Sequence, residues 1–400
     1  MATDTKNPAL VLGMFETGLG VVRSLGQAGV KVYGFDCKKD IGFYSGYVTA
    51  TVCPHPIHQE TEFIASLVAF AGKFPVKPVL FITSDIFLQA VSRNRQALQP
   101  HFLFNLPSEE LITTIGDKYL QFKLAEQVGI VVPATFILDS REQSEKAKAG
   151  LPYPVFIKAV DVNEWRKIVG GSVKGFVAKD QDSFTRLIMP LMDKGLKIIV
   201  QEIIRGPDTN HFKYCAYYVP GEGALCEFTL QKIRQNPIRF GVGAVVESIK
   251  DDALMAVGRK LFELIGYQGV GSAEFKLDER DGQLKLIEIN PRYWQQNYLS
   301  TACGVNFPLV DYLSLTLQHP AKITTWKTGV KWVNRYMDFD SFLQYRREKE
   351  ITFRQWRKSL RGPKVYSDFT WDDMMPGGYE TGFGLKFIKL PYYLFKKLFK

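Results

Sequence analysis

Two short apolar segments on either side of residue 280 constrain this chain more than any other stretch. Ser272-Ala273-Glu274-Phe275-Lys276 and Leu286-Ile287-Glu288-Ile289-Asn290-Pro291-Arg292 flank the polar run Asp278-Glu279-Arg280-Asp281-Gly282-Gln283. Apolar runs around a Gly-containing polar turn predict a β-hairpin, 270–277 against 284–289. Side chains alternate along a strand, so Glu288 and Asn290 point to one face. Glu274 can lie beside Glu288 across the hairpin. Three oxygen-bearing side chains facing one another are costly unless a cation lies between them. Mg²⁺ takes such hard oxygens and usually shares them with substrate phosphates. Glu274, Glu288 and Asn290 are therefore the candidate metal ligands. Arg292, just past the strand-ending Pro291, is placed to stabilise charge on a transferring group. The competing reading is an amphipathic hairpin with a solvated acidic face. The apolar neighbours Ile287 and Ile289 favour the metal.

The chain opens on alternating strand and helix signals. ALVLG at 9–13 is followed by Gly18, Gly20 and the helical text VVRSLGQAG, then a second strand at 30–35 that ends at Asp36. This is a βαβ unit. Further strands are predicted at 78–83 and 102–106, which gives a doubly wound parallel sheet up to about residue 115. The glycines do not complete G-x-G-x-x-G. A tight strand-to-helix turn is thus favoured over a nicotinamide site built from Gly13, Gly18, Gly20 and Asp36.

A basic set lies further along. Lys118 opens a helix, Lys158 ends the strand PVFIK, and Lys232 sits in QKIR near Arg234 and Arg239. Lysines at the ends of core strands can serve as point charges on a polyphosphate. Packed stems with solvated heads are an equal alternative for any one of them. The segment 165–175 reads as a glycine-bearing loop, in which Gly170, Gly171 and Ser172 permit close approach of backbone N–H groups to phosphate. No P-loop occurs. The strand Gln201-Glu202-Ile203-Ile204 runs out into Gly206-Pro207-Asp208, which frees backbone groups to read a base edge and a carboxylate to take ribose hydroxyls.

Taken in order, Lys118, Lys158, the Gly170-Gly171 loop, Gln201–Ile204, Glu274 and Glu288-x-Asn290-Pro291-Arg292 resemble the ATP-grasp superfamily, specifically its carboxylate–amine ligases. The phrases GPDTNHFKYCAYY and NPRYW resemble the D-aspartate ligase-like branch, of the type found in bacterial cell-surface polysaccharide clusters. The resemblance spans about residues 8–320. It implies an N-terminal α/β substrate-side domain (1–115) and a two-lobed ATP-grasp domain of α+β type (116–325, lid lobe about 153–203). It implies ATP as co-substrate and Mg²⁺, two ions with Mn²⁺ as a substitute. Lys118, Lys158, Gly170, Gly171 and Ser172 would hold the nucleotide, Glu202, Ile203 and Ile204 would form the adenine hinge, and Asp208 would take ribose, with Glu202 as the alternative. Glu274, Glu288 and Asn290 would hold the metal. Arg292 would lie near an acyl phosphate, with Lys232 and Arg239 on the γ-phosphate or a substrate carboxylate.

The resemblance does not reach the C-terminal extension, 326–400. Residues 331–400 hold 15 basic and 8 acidic residues, a balance of +7 out of +10 for the whole chain. A basic excess confined to one end argues against nucleic acid and for a local anionic surface. Residues 386–400 carry five lysines and no acid, with Leu390, Leu394 and Leu398 four apart. That pattern suits an interfacial helix on anionic lipid, or a terminal helix docked on its own domain. The five scattered cysteines contain no C-x-x-C and predict free thiols in a reducing compartment. His55 and His58 lack a third ligand. No signal peptide or membrane span is evident, so a cytoplasmic protein, peripheral on the inner membrane face through 386–400, is expected.

The expected function is an ATP-dependent amide-forming ligase that passes through an acyl phosphate. It would join a small-molecule carboxylate and an amine, one of them an amino acid, with a cell-envelope or polysaccharide precursor, lipid-linked in the basic-tail reading, as acceptor. The alternatives are an ATP-binding scaffold without turnover at the membrane and a nicotinamide-dependent oxidoreductase.

Overall fold

The computed structural model describes residues 6–160, 162–170 and 175–381. The chain forms two compact units. The larger contains the residues up to Asp117, Pro207–Glu274 and the residues from Glu288 onward. The smaller contains Lys118–Gly206 and Phe275–Ile287.

The larger unit begins with a four-stranded parallel sheet in the order Val48–Val52, Val32–Asp36, Ala9–Leu12, Val79–Ile82. Both faces of its central strands are buried. Ala9, Val11, Val79 and Phe81 pack into one core, and Leu10, Leu12, Leu80 and Ile82 into another. That double burial is why these strands read as unbroken apolar runs. The first turn is as tight as the glycines suggest. Gly13 has φ +92°, and a Cβ on Gly18 would lie 2.0 Å from the Gly13 carbonyl oxygen. The Asp36 carboxylate accepts from the backbone N–H of Met14 (2.6 Å) and of Cys37 (2.7 Å), so it braces this turn. The strand expected at 102–106 is reduced to one bridge, Leu103 to Val79. Beyond it the Leu106 carbonyl accepts from Arg95 (3.3 Å) and Gln268 (2.8 Å), which draws the chain away from the sheet.

A seven-stranded sheet follows in the order Leu284–Asn290, Gly269–Leu277, His211–Val219, Gly223–Asn236, Val242–Ile249, Lys331–Val333, Lys364–Tyr366. The expected hairpin is its first pair of strands. The extension beyond 326 is built into this unit as far as it is described. It supplies the last two strands, and its helix Arg335–Arg347 holds Asp338, whose carboxylate is 2.5 Å from Arg234 Nε with both side chains buried. The tail 386–400 lies outside the described residues.

Asp311, on the helix Phe307–Leu315, is buried in the same core, where the Tyr293 hydroxyl donates to it at 2.9 Å. Burial pushes its carboxyl up to about 7, against the Tyr293 and Tyr217 hydroxyls, which favour the ionised form. The folded chain therefore holds this proton more tightly than the unfolded chain, and stability falls as pH rises from about 4 to about 7. A rise from 3.8 to about 7 corresponds to about 4 kcal/mol, at roughly 1.36 kcal/mol per pH unit. Asp311→Asn is expected to flatten this part of the stability profile. Urea midpoints measured at pH 5 and pH 8 check it; an unchanged difference between them would contradict the assignment.

The smaller unit has an antiparallel sheet in the order Thr135–Leu138, Ile198–Glu202, Val155–Ala159, Phe176–Ala178. Val155, Ile157, Ile198 and Val200 face its core with Phe184 and Ile188 of the helix Gln181–Met192. Where a loop was expected from residue 165, Val162–Val169 is a helix. Trp165, Ile168 and Val169 recur at helical spacing and pack into this core. Gly170, which has φ +102°, follows directly on this helix. Gly171 and Ser172 lie outside the described residues.

Candidate functional site

The larger unit carries Lys232, Glu274, Glu288 and Asn290 on strands of its seven-stranded sheet. Glu274 is on Gly269–Leu277, beside His211–Val219, which carries Lys213, and next comes Gly223–Asn236, which carries Lys232. Lys213 Nζ lies 2.9 Å from Glu274 Oε1 and Lys232 Nζ 2.8 Å from Oε2. All three side chains are largely buried, at 6%, 8% and 14% exposure. Burial alone would raise the Glu274 carboxyl; the two ammoniums outweigh it and hold it well below the usual carboxylate range. Lys232 also reaches Gln235 Oε1 at 3.4 Å.

The next strand ends in the other acidic candidate. Glu288 is exposed, and Asn290 Nδ2 donates to its Oε2 at 3.3 Å. Arg292 Nη2 donates to Asn290 Oδ1 at 3.3 Å. The same guanidinium forms a two-pronged pair with Asp85, Nε to Oδ1 at 2.7 Å and Nη2 to Oδ2 at 2.9 Å. Among the described residues, no group of three or more His, Cys, Asp and Glu is arranged to hold a metal ion.

Other candidates are engaged elsewhere. Asp208 is buried and accepts from Gln235 Nε2 (2.8 Å), from the Arg239 N–H (3.4 Å) and from the Tyr345 hydroxyl. The Arg239 guanidinium pairs with Glu348 and Glu350 at the surface. In the smaller unit, Glu202 accepts from the Ala134 N–H (3.0 Å) and Lys285 Nζ (3.2 Å) and pairs with Arg280. Lys285 and Arg280 also hold the buried Asp278. The Arg280 hydrogen bond, with help from Lys285, keeps Asp278 below the ordinary carboxylate range despite its burial. The backbone N–H of Ile203 donates to Pro154 O at 3.1 Å, and Ile204 is buried. Lys118 starts the helix Lys118–Gln127 with its ammonium 5.8 Å from the Phe122 ring centre. Lys158 lies on Val155–Ala159, in register with Ile199.

Two residues of this site escaped the sequence reading. Lys213 stands inside the apolar strand His211–Val219, the same signal that singled out Lys158. Asp85 opens the helix Asp85–Arg93 just past the fourth parallel strand, where it looks like an ordinary first-turn acid. The remaining single features are local. His55 Nδ1 accepts from the N–H groups of Ile57 (3.1 Å) and His58 (3.4 Å), and all five cysteines are free. No helix among the described residues is long and apolar enough to cross a membrane.

Comparison with known proteins gives a consistent picture. No family model matches the chain. It is 24% identical over 366 residues to D-aspartate ligase from Enterococcus faecium (strain Aus0004), covering 85% of each chain. Among solved structures, N5-carboxyaminoimidazole synthetase from Staphylococcus aureus complexed with ADP superposes with a TM-score of 0.61 at 14% identity, over 80% of each chain. L-amino acid ligase from Bacillus licheniformis superposes with a TM-score of 0.58 at 16% identity, over 78% of this chain and 75% of its own. The chain has the ATP-grasp fold and is similar in sequence to D-aspartate ligase over most of its length.

Proposed function

We propose that the chain is an ATP-dependent carboxylate–amine ligase. A substrate carboxylate oxygen attacks the γ-phosphorus of ATP, and ADP leaves. The resulting acyl phosphate is attacked at its carbonyl carbon by an amine, the amide bond forms, and phosphate leaves with the excess proton passing to solvent. The observation that carries this reading is the set of basic, acidic and amide side chains on neighbouring strands, Lys213, Lys232, Glu274, Glu288 and Asn290, with Arg292 just past the end of the last strand. Such chemistry needs positioning and charge neutralisation rather than a side-chain nucleophile.

The donor set fits Mg²⁺. Glu288 and Asn290 present hard oxygens. The two ammoniums on Glu274 together carry the charge of one divalent cation and so act as its stand-in. Glu274, Glu288 and Asn290 would hold the metal, which supplies charge neutralisation on the phosphates when bound. Lys118, Lys158, Gly170, Gly171 and Ser172 would take the nucleotide phosphates, and Glu202, Ile203 and Ile204 the base. Asp208 takes ribose in this scheme by exchanging its bonds from Gln235 and Tyr345; Lys232 and Arg239 serve the γ-phosphate or the substrate carboxylate. Arg292 would face the developing acyl phosphate.

Asp85 competes for that arginine. It is 59% exposed, so the pair contributes no more than about 1 kcal/mol. Asp85→Ala is therefore expected to raise kcat by up to about fivefold, with KM for the carboxylate substrate little changed. A kcat that stays the same would show that Arg292 does not meet the developing acyl phosphate.

Likeness to D-aspartate ligase and L-amino acid ligase supports an amino acid as one substrate. The basic tail supports a lipid-linked cell-envelope or polysaccharide precursor as acceptor, met at the inner face of the membrane. Removing 386–400 is expected to abolish co-sedimentation with anionic liposomes; undiminished sedimentation would sink the membrane assignment. The ligase reading itself is tested by ADP release from Mg-ATP with amino acids and amine acceptors. Release that depends on both partners is expected. ATP binding with no turnover against any pair would favour a binding-only scaffold.

A further inference from the structure

The positive charge at Glu274 exceeds what one carboxylate needs. Lys213 and Lys232 approach it from two adjacent strands, one ammonium on each oxygen, and all three groups are largely withdrawn from water. A hard divalent cation needs the same oxygen lone pairs. It also repels two ammoniums at this range, and in a buried setting that repulsion is poorly screened. If a metal took Glu274 alone, two buried ammoniums would be left without their counter-ion, which is strongly unfavourable. Phosphate oxygens arriving with the metal remove that obstacle, because each ammonium can exchange a carboxylate oxygen for a phosphate oxygen.

We infer that Lys213, together with Lys232, is a resident counter-ion of Glu274 that makes divalent-metal loading conditional on the nucleotide. The inference rests on the ligase reading for its nucleotide and adds to it a positioning residue and an order of events. Free metal is refused at Glu274. Metal and triphosphate enter together, and the two lysines pass from the carboxylate to the phosphates. Lys213 is the informative member, since Lys232 has a second polar neighbour in Gln235.

The test is Mn²⁺ binding to the full chain, read from the paramagnetic resonance of free Mn²⁺. It is run with and without a non-hydrolysable ATP analogue, counting only sites that disappear in Glu288→Gln. Wild-type protein is expected to bind Mn²⁺ at least tenfold more tightly with the analogue. Lys213→Met is expected to bind Mn²⁺ alone at least tenfold more tightly than wild type does, and Lys213→Arg to restore the dependence. Wild-type binding of Mn²⁺ that is equally tight without the analogue overturns the inference, and needs no Lys213 variant to fold. So does a folded Lys213→Met whose affinity for Mn²⁺ alone is unchanged while the analogue still binds; that result leaves the ligase reading standing. Failure of wild-type protein to bind the analogue at any Mn²⁺ concentration removes both.

Discussion

Glu288→Gln is expected to lower turnover by about a thousandfold or more while leaving the melting temperature in place. Loss of one charge-stabilising group in a site of this kind costs about 10²–10³ in kcat, and the amide is also a poorer ligand for a hard divalent cation. The fold is expected to tolerate the change. Glu288 is exposed, and its carboxylate accepts from the Asn290 amide at 3.3 Å. Exposed substitutions of this sort usually stay within about 0.5 kcal/mol. The check is a pair of measurements on one preparation, steady-state ADP release and thermal melting. Turnover that persists would displace Glu288 from the metal.

The largest stability effect is expected at Arg23. This arginine lies on the helix Glu16–Gly26 and is 1% exposed. Its Nε donates to Asp373 Oδ2 at 2.9 Å, and its two terminal nitrogens donate to the carbonyls of Ser367 (3.3 Å), Asp368 (3.0 Å) and Asp373 (3.1 Å). Asp373 also accepts from the Ser45 hydroxyl and the Gly46 N–H. The pair thus ties the extension to the first βαβ unit. Breaking a buried pair from one side leaves a charge without its partner and costs about 3–5 kcal/mol. Arg23→Met is expected to destabilise the larger unit by that amount. Arg23→Met with Asp373→Asn is expected to cost clearly less than the two single changes added together. Urea unfolding of the three variants measures this. A loss under about 0.5 kcal/mol for Arg23→Met would mean that the extension is held by other contacts.

Local signals carried the parts of the fold that local physics decides. The hairpin around Asp278–Gly282 has alternating apolar strands and a glycine with φ +69°, so it was legible. The opening βαβ unit was legible because Gly13 and Gly18 are required by close approach, not merely tolerated. The helix Val162–Val169 was hidden by the glycines that follow it, although Trp165, Ile168 and Val169 carry helical spacing. The extension was unreadable for a different reason. Its strands Lys331–Val333 and Lys364–Tyr366 are three residues each and pair with one another across an intervening stretch that holds two helices. No local pattern encodes such a pairing. The same limit applies to the candidate site. Glu274, Glu288, Asn290 and Arg292 were visible as residue types at strand spacing. That Glu274 is held by Lys213, Arg292 by Asp85 and Asp208 by Gln235 and Tyr345 depends on which strands and helices become neighbours.

The central claim is that ATP activates a carboxylate as its acyl phosphate. Hydroxylamine tests it without knowledge of the natural amine, because it attacks acyl phosphates to give coloured hydroxamates. The chain would be incubated with Mg-ATP, hydroxylamine and a panel of amino acids and sugar acids, and both ADP and hydroxamate would be measured. The account predicts equal amounts of the two with at least one carboxylate, and neither with Glu288→Gln. ADP release that depends on a carboxylate but yields no hydroxamate, with the amide product still formed when an amine is supplied, would contradict it.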